Sequence, residues 1–134
     1  MSTRHQELSI RTSKKLESVD VSDLVSRVVE ESGIAEGVCV LFVPHTTAAI
    51  TANEHFDPNV ARDILKALGR AVPDEEQWDH PEDNAPAHVK ATLTGPSLTV
   101  PVSGGKLALG QWQGLYFMEY DGPRTRRLSV TIIS

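Results

Sequence analysis

The apolar residues of this chain switch between two periods, and the switches mark its elements. Between Gln6 and Thr12, Leu8 and Ile10 alternate with polar neighbours, which is the period of a half-buried strand. Lys15 to Val19 reads as a second strand. From Val21 the period lengthens: Val21, Leu24, Val25, Val28 and Val29 fall at i, i+3, i+4, i+7 and i+8, the stripe of an amphipathic helix. Asp20 stands at its cap position, Asp23 sits in the first turn at the positive end of the dipole, and Gly33 supplies the stop.

Gly37 then introduces Val38 to Val43, a β-branched apolar run suited to a central strand. Pro44 breaks its ladder, and Ala48 to Glu54 reads as the returning strand. Asp57-Pro58 opens a second long helix, continued by Val60, Ile64, Leu65 and Leu68 as far as Gly69. Ala71 to Pro86 is polar and punctuated by proline, so it is expected as a long loop, and long loops in small domains usually carry function or are disordered. A short helix over Ala87 to Leu93 follows. Strands are then expected at Ser97–Val102, Lys106–Leu109, Trp112–Tyr120 and Arg127–Ile133, with Gly104-Gly105 as a hairpin turn. Most links are too short for parallel crossovers, so antiparallel pairing dominates. The predicted class is α+β, with two longer helices and one short one.

Composition narrows the function. The chain has 134 residues, which predicts one domain over 1–134, and 40% of them are hydrophobic. Net charge is -5, and Lys and Arg are dispersed apart from Arg124, Arg126 and Arg127, which argues against duplex nucleic acid as a partner. Cys39 is the only cysteine, so an intrachain disulfide and a thiolate cluster are both excluded; within VCVLFV it reads as a core residue. The first ten residues, MSTRHQELSI, lack the apolar stretch of a signal peptide or membrane span, so a cytoplasmic protein without membrane contacts is expected.

Candidate chemistry concentrates in three places. His45, His80 and His88 come from different elements, and folding could gather them around a metal ion, with Asp79, Glu82, Asp83 and Asn84 as ligands or tautomer-fixing neighbours. Each histidine taken singly reads sooner as a capping or surface residue than as a ligand, and the surrounding acids shift that balance towards a site. Thr46 and Thr47 follow a proline between two strands, where hydroxyls and free amides either hold an anion or cap the turn. Asn53 and Glu54 end a strand, and one of them must point inward if alternation persists; an unpaired buried polar group costs roughly 1–3 kcal/mol, so a partner or ligand is expected. His55 is expected at the surface. Glu119 lies among Phe117, Met118 and Tyr120, so it is either paired with Arg124 or Arg126 or is a functional acid with a shifted pKa.

Three blocks, HTTAAITANEHFDPNVARDI, HPEDNAPAHVKATLTGPSLTVPV and GKLALGQWQGLYFMEYDGPRTRR, occur in order, and together they resemble the YjbQ-like family, often labelled secondary thiamine-phosphate synthase. The likeness covers about residue 6 to 133. It implies a compact sandwich-like α+β unit assembling as a homotrimer. The family's motif positions fall on His45, Asn53, Glu54, Asp57 and Pro58, then His80, Asp83, His88, Lys90, Gly95 and Ser97, then Trp112, Gln113 and Glu119. One departure is Gln111, where threonine is common.

The resemblance implies a small enzyme acting on a phosphorylated small molecule, coupling hydroxymethylpyrimidine diphosphate with a thiazole phosphate. On that reading His45, His88 and Glu119 are the catalytic candidates. Thr46, Thr47, Asn53, Lys90, Ser97, Trp112, Gln113 and Arg124 are the ligand- or phosphate-binding candidates. His45, His80 and His88 are the candidate ligands of a divalent metal ion, zinc or magnesium. The alternative is a non-catalytic trimer that binds a metal or a metabolite through the same residues.

Overall fold

The computed structural model describes residues 1–75 and 77–134; Glu76, within the expected loop, lies outside the described residues. Among the described residues, eight strands and three helices follow in the order β1 (Thr3–Arg11), β2 (Glu17–Asp20), α1 (Ser22–Ser32), β3 (Gly37–Phe42), β4 (Ala48–Glu54), α2 (Pro58–Ala71), α3 (Ala85–Thr94), β5 (Ser97–Ser103), β6 (Lys106–Leu107), β7 (Gln113–Glu119) and β8 (Thr125–Ile133). The class is the predicted α+β, and every strand pair is antiparallel.

Several boundaries move for local reasons. Val21 is the cap residue of α1, yet the Asp20 carboxylate still accepts the Ser22 amide at 2.9 Å, one residue early. The Asp57 side chain caps α2 by accepting the Asn59 amide at 2.9 Å, and the helix runs through Gly69 to Ala71. Helix α3 begins at Ala85 rather than Ala87 because Pro86 suits a first turn, where its missing N–H is not needed. Strand β6 stops at Leu107, two residues short of the expected end.

The strands form two sheets, β1-β8-β3-β5-β6 and β2-β7-β4. Ile10, Leu41, Val100 and Leu128 of the first pack against Ile50, Leu115 and Phe117 of the second in one shared core. Helix α1 closes a flank of that core with Val21, Val25, Val28 and Val29, all essentially buried, while Leu24 at the stripe's edge remains 40% exposed. The opposite face of the smaller sheet carries Ala49, Tyr116, Met118 and Tyr120, which pack against Ala87 and Ala91 of α3 and Leu65 and Leu68 of α2. Strand β7 is therefore buried on both faces, which explains its near-continuous apolar sequence. Among the described residues no helix is long and apolar enough to cross a membrane.

One end of the shared core is polar. Glu119 on β7 and Arg126 on β8 face each other across the two sheets and form a buried ion pair, with Arg126 Nε 2.9 Å from Glu119 Oε1 and Nη2 on Oε2. Thr12 donates to Glu119 Oε1 at 2.7 Å, the Asp121 amide donates to Oε2 at 3.1 Å, and Arg126 Nη2 donates to Thr47 Oγ1 at 2.9 Å. Burial pushes the Glu119 carboxyl up, but the bonds from Arg126, Thr12 and Asp121 outweigh it and hold the group below its ordinary value. Gly122 lets the chain pass this cluster: a Cβ there would sit 2.2 Å from the Lys14 carbonyl oxygen and 2.9 Å from both Glu119 Cγ and Thr12 Oγ1.

Three substitutions test this packing. Glu119→Gln strands a buried guanidinium and is expected to cost about 3–5 kcal/mol in urea denaturation. Because the folded-state pKa of Glu119 is depressed, the pair's stabilisation is complete above the unfolded value of about 4.3 and is lost as pH falls below it. An acid-unfolding midpoint unchanged by the substitution would refute this. Gly122→Ala is expected to destabilise by about 1–3 kcal/mol through overpacking. Gly69→Ala, with nothing within 4 Å of the new methyl group, is expected to stabilise α2 by about 0.5–1 kcal/mol.

Candidate functional site

The polar end of the core is the floor of a cleft. At the end of β3 the Val43 amide still donates to the Pro96 carbonyl at 2.8 Å, but Pro44 has no N–H to offer, so the chain leaves the larger sheet there. It crosses to the smaller sheet through His45, Thr46 and Thr47 before β4 begins at Ala48. The crossing is pinned at both ends. His45 Nε2 accepts the Arg127 amide at 2.9 Å, and the Thr47 carbonyl accepts the Tyr120 amide at 3.1 Å.

Opposite this crossing stand His88 of α3 and His80 of the preceding loop, their rings edge to face with centroids 5.2 Å apart. The turn between β7 and β8 contributes Asp121 and Arg124. Together they enclose an open cleft of about 410 Å³, lined by His45, Thr46, Thr47, His80, His88 and Arg124, with Asn84, Asp121 and Arg126 beneath. A hollow of about 330 Å³ adjoins it and shares His45, Thr46 and His88. The three histidines proposed from sequence thus line one space, together with both threonines and Arg124.

The charges inside the cleft are ordered by hydrogen bonds. Burial pushes the His45 imidazole below its ordinary pKa, and Arg126 and Arg127 push it further, with Glu119 opposing. Accepting an amide through Nε2 favours the same neutral form and leaves the ring proton on Nδ1. Asp121 accepts Asn84 Nδ2 and Arg124 Nη2, each at 3.0 Å. Burial raises the Asp121 carboxyl, but those bonds and the charges of Arg124 and Arg126 bring it below the usual range. Arg124 Nε also donates to the Asp121 carbonyl at 2.7 Å, which fixes the guanidinium at the mouth of the cleft. Glu119 and Asp121 are therefore held in the ionised form by bonds already made, whereas Glu82, which also lines the cleft, is largely exposed with its carboxylate 3.9 Å from His80 Nε2.

Other sequence candidates lie elsewhere. Glu119, proposed as a catalytic acid, is fully buried in its ion pair and lies outside the cleft lining, so it acts as a support beneath the site. Lys90 is also buried, on a side of α3 where Asp74 and Lys15 are its charged neighbours, and its ammonium is pushed down by burial despite Asp74. Ser97 opens β5 beside Phe42, exposed and outside the cleft. Asn53, Trp112 and Gln113 lie at the far end of the β4–β7 ribbon: Ala48 pairs with Glu119 at the cleft end, Glu54 with Gln113 at the other, about 20 Å away at roughly 3.3 Å per residue. There the Asn53 and Gln113 side chains accept the Glu54 and Gly110 amides, and Trp112 packs edge-on against Phe56. His55, expected at the surface, is half-buried instead, with Nδ1 2.8 Å from Asp20 Oδ2 and its ring over the bare α-carbon of Gly114.

The metal expectation meets a geometric obstacle. Among the described residues no three His, Cys, Asp or Glu side chains converge to hold an ion. His45 has its Nε2 lone pair committed to Arg127, and two guanidinium groups stand close by. As arranged in one protomer, the trio shares a cleft without forming a ligand shell, and the residues present do not fit a resident metal.

The fold recurs in known proteins. Residues 6–134 match the family model described as "UPF0047 protein YjbQ-like". A UPF0047 protein of Methanocaldococcus jannaschii is 44% identical over 124 residues, covering 92% of this chain and 90% of its own length. Among solved structures, a YbjQ-like protein from Sulfolobus solfataricus superposes with a TM-score of 0.95 at 40% identity, covering 98% of this chain and 96% of its own. A YjbQ/UPF0047 family protein from Clostridium acetobutylicum does so with a TM-score of 0.94 at 48% identity, covering 96% and 99%. With matches of this extent in both sequence and fold, the chain belongs to the UPF0047, YjbQ-like family.

Proposed function

We propose that the histidine cleft binds the phosphate or pyrophosphate group of a small molecule, and that the chain is a transferase of the thiamine-phosphate synthase kind. The observation that carries this reading is the gathering of His45, His80, His88 and Arg124 around one open cleft floored by Arg126. These are hydrogen-bond donors or cationic groups of the kind that recognise phosphate oxygens.

Coupling a hydroxymethylpyrimidine diphosphate to a thiazole phosphate makes modest demands on such a site. The thiazole nitrogen uses its lone pair to form a bond to the pyrimidine methylene carbon. The carbon–oxygen bond to pyrophosphate breaks, and its electron pair leaves with the pyrophosphate. No proton has to leave the nitrogen, so the site chiefly stabilises charge on the departing oxygens. Arg124 and the His45 Nδ1–H supply fixed donors, and His88 or His80 supplies a proton to the leaving group. Glu119 holds Arg126 in place beneath them and transfers no proton. No step uses a resident metal.

A second reading has an observation in its favour. Asp121 and Glu119 are both already bonded within the chain, so neither is free to move a proton, which suits a carrier that binds a phosphorylated metabolite without turnover. Self-association into a trimer is compatible with either reading.

Product formation by the purified protein from the two precursors separates them. The transferase reading expects thiamine monophosphate, with His88→Ala slowing its formation about 10²–10⁴-fold. Arg124→Ala is expected to weaken phosphate binding by roughly tenfold or more in calorimetry, the loss of one charge-assisted hydrogen bond. Retained phosphate binding without product would favour the carrier, and phosphate that binds equally well to the His88→Ala and Arg124→Ala variants would sink both. Phosphate affinity is also expected to survive exhaustive chelation, since the donors belong to the chain.

A further inference from the structure

A second cavity lies away from the histidine cleft, in the groove between β2 and α2. It has a volume of about 270 Å³, compact beside the roughly 300–1,000 Å³ of ordinary ligand pockets. Its apolar surface comes from Leu16, Ala61, Leu65 and the ring of Tyr116. Lys14 and Arg62 stand at its rim.

The polar groups of this groove are poorly matched within the chain. Glu17, the one acidic residue of the lining, is already committed: both its oxygens accept from Ser13, the amide at 2.8 Å and the hydroxyl at 2.9 Å. Arg62 donates to the neutral Asn59 side chain at 2.9 Å, and among the described residues neither Arg62 nor Lys14 forms an ion pair. Among the described residues the buried Ser18 Oγ has no hydrogen-bond partner, against the strong tendency of buried polar atoms to be satisfied. The Tyr116 hydroxyl makes, among the described residues, only a long contact, donating to the Glu54 carbonyl at 3.4 Å. Two uncompensated cations and two under-used hydroxyls thus surround a small apolar groove, a distribution complementary to an acid with a short hydrocarbon or aryl body.

We infer that the β2–α2 groove is a binding site for a compact amphiphilic carboxylate, its body against Leu16, Leu65 and Tyr116 and its head group at Lys14 and Arg62. The inference is independent of the histidine cleft, whose floor and donors lie on other elements. The two sites therefore differ in ligand class as well as position. The cleft offers histidines and an arginine to a hydrophilic phosphate, while the groove offers apolar area with charge only at its edge.

Titration of the isotopically labelled full chain with octanoate tests this by amide chemical shifts. Saturable shifts are expected at Leu16, Ser18, Ala61 and Leu65, and the double charge reversal K14E/R62E is expected to weaken the apparent affinity by roughly tenfold or more. Both substitutions are at exposed positions, so the variant should keep its fold, which its unchanged remaining spectrum would verify. Inorganic phosphate is expected to shift residues of the histidine cleft and leave the groove unmoved. The inference is overturned if octanoate produces no saturable shifts in the groove at millimolar concentration, if the charge reversal leaves them unchanged, or if octanol binds as tightly as octanoate.

Discussion

The ion pair between Glu119 and Arg126 is the constraint around which the rest of this molecule is arranged. It spans the two sheets at the end where the apolar core stops, and neither charge could be placed there alone without a desolvation cost of several kcal/mol. Further hydrogen bonds from three segments hold the pair in place. Thr12 and the Asp121 amide satisfy the carboxylate, and Thr47 takes the guanidinium's outward edge. Four separate segments of chain are thereby held to one point. Gly122 is bare because the turn between β7 and β8 must pass against that point.

That arrangement builds the cleft as a consequence. Thr47 is held by Arg126, so the crossing from β3 to β4 has a fixed course, and His45 is held by the amide of the next residue along β8. Asp121, two residues beyond Glu119, is drawn in by Asn84 and in turn fixes Arg124. The donors facing the cleft are preorganised by groups behind them, which is the condition under which fixed dipoles and charges act on a ligand without reorganisation cost. The pairing of Arg126 with Glu119 and of Arg124 with Asp121 also keeps the cleft from being a strongly cationic trap, in keeping with a chain of net charge -5.

Much of the scaffold was legible along the chain because it depends on short-range order. The valine stripe of α1, the Asp57-Pro58 start of α2 and the alternation in β8 all report on one buried face, and each element forms where its pattern lies. The shortfalls are equally local. Gly69 reads as a stop, but a glycine with open space around it merely weakens a helix that packing sustains. Asn53, Trp112 and Gln113 look like companions of the histidines because their residue types suit a pocket, yet an antiparallel ribbon carries them to its opposite end. Nothing in the sequence marks Thr12, since a threonine at a strand's end has no periodic signature.

By itself, the sequence determined the α+β class, the positions of the helices and most strands, and the set of residue types from which any site must be drawn, because hydrophobic period and turn chemistry act over a few neighbouring residues. Only the tertiary structure decided which of those residues meet. It chose Arg126 over Arg124 as the partner of Glu119, and turned Lys90 away from His88 on the same helix. It also brought His45, His80 and His88 to one cleft while leaving them short of a ligand shell. Those outcomes depend on sheet register and on which face of an element is buried, and both are properties of contacts between segments far apart in the chain.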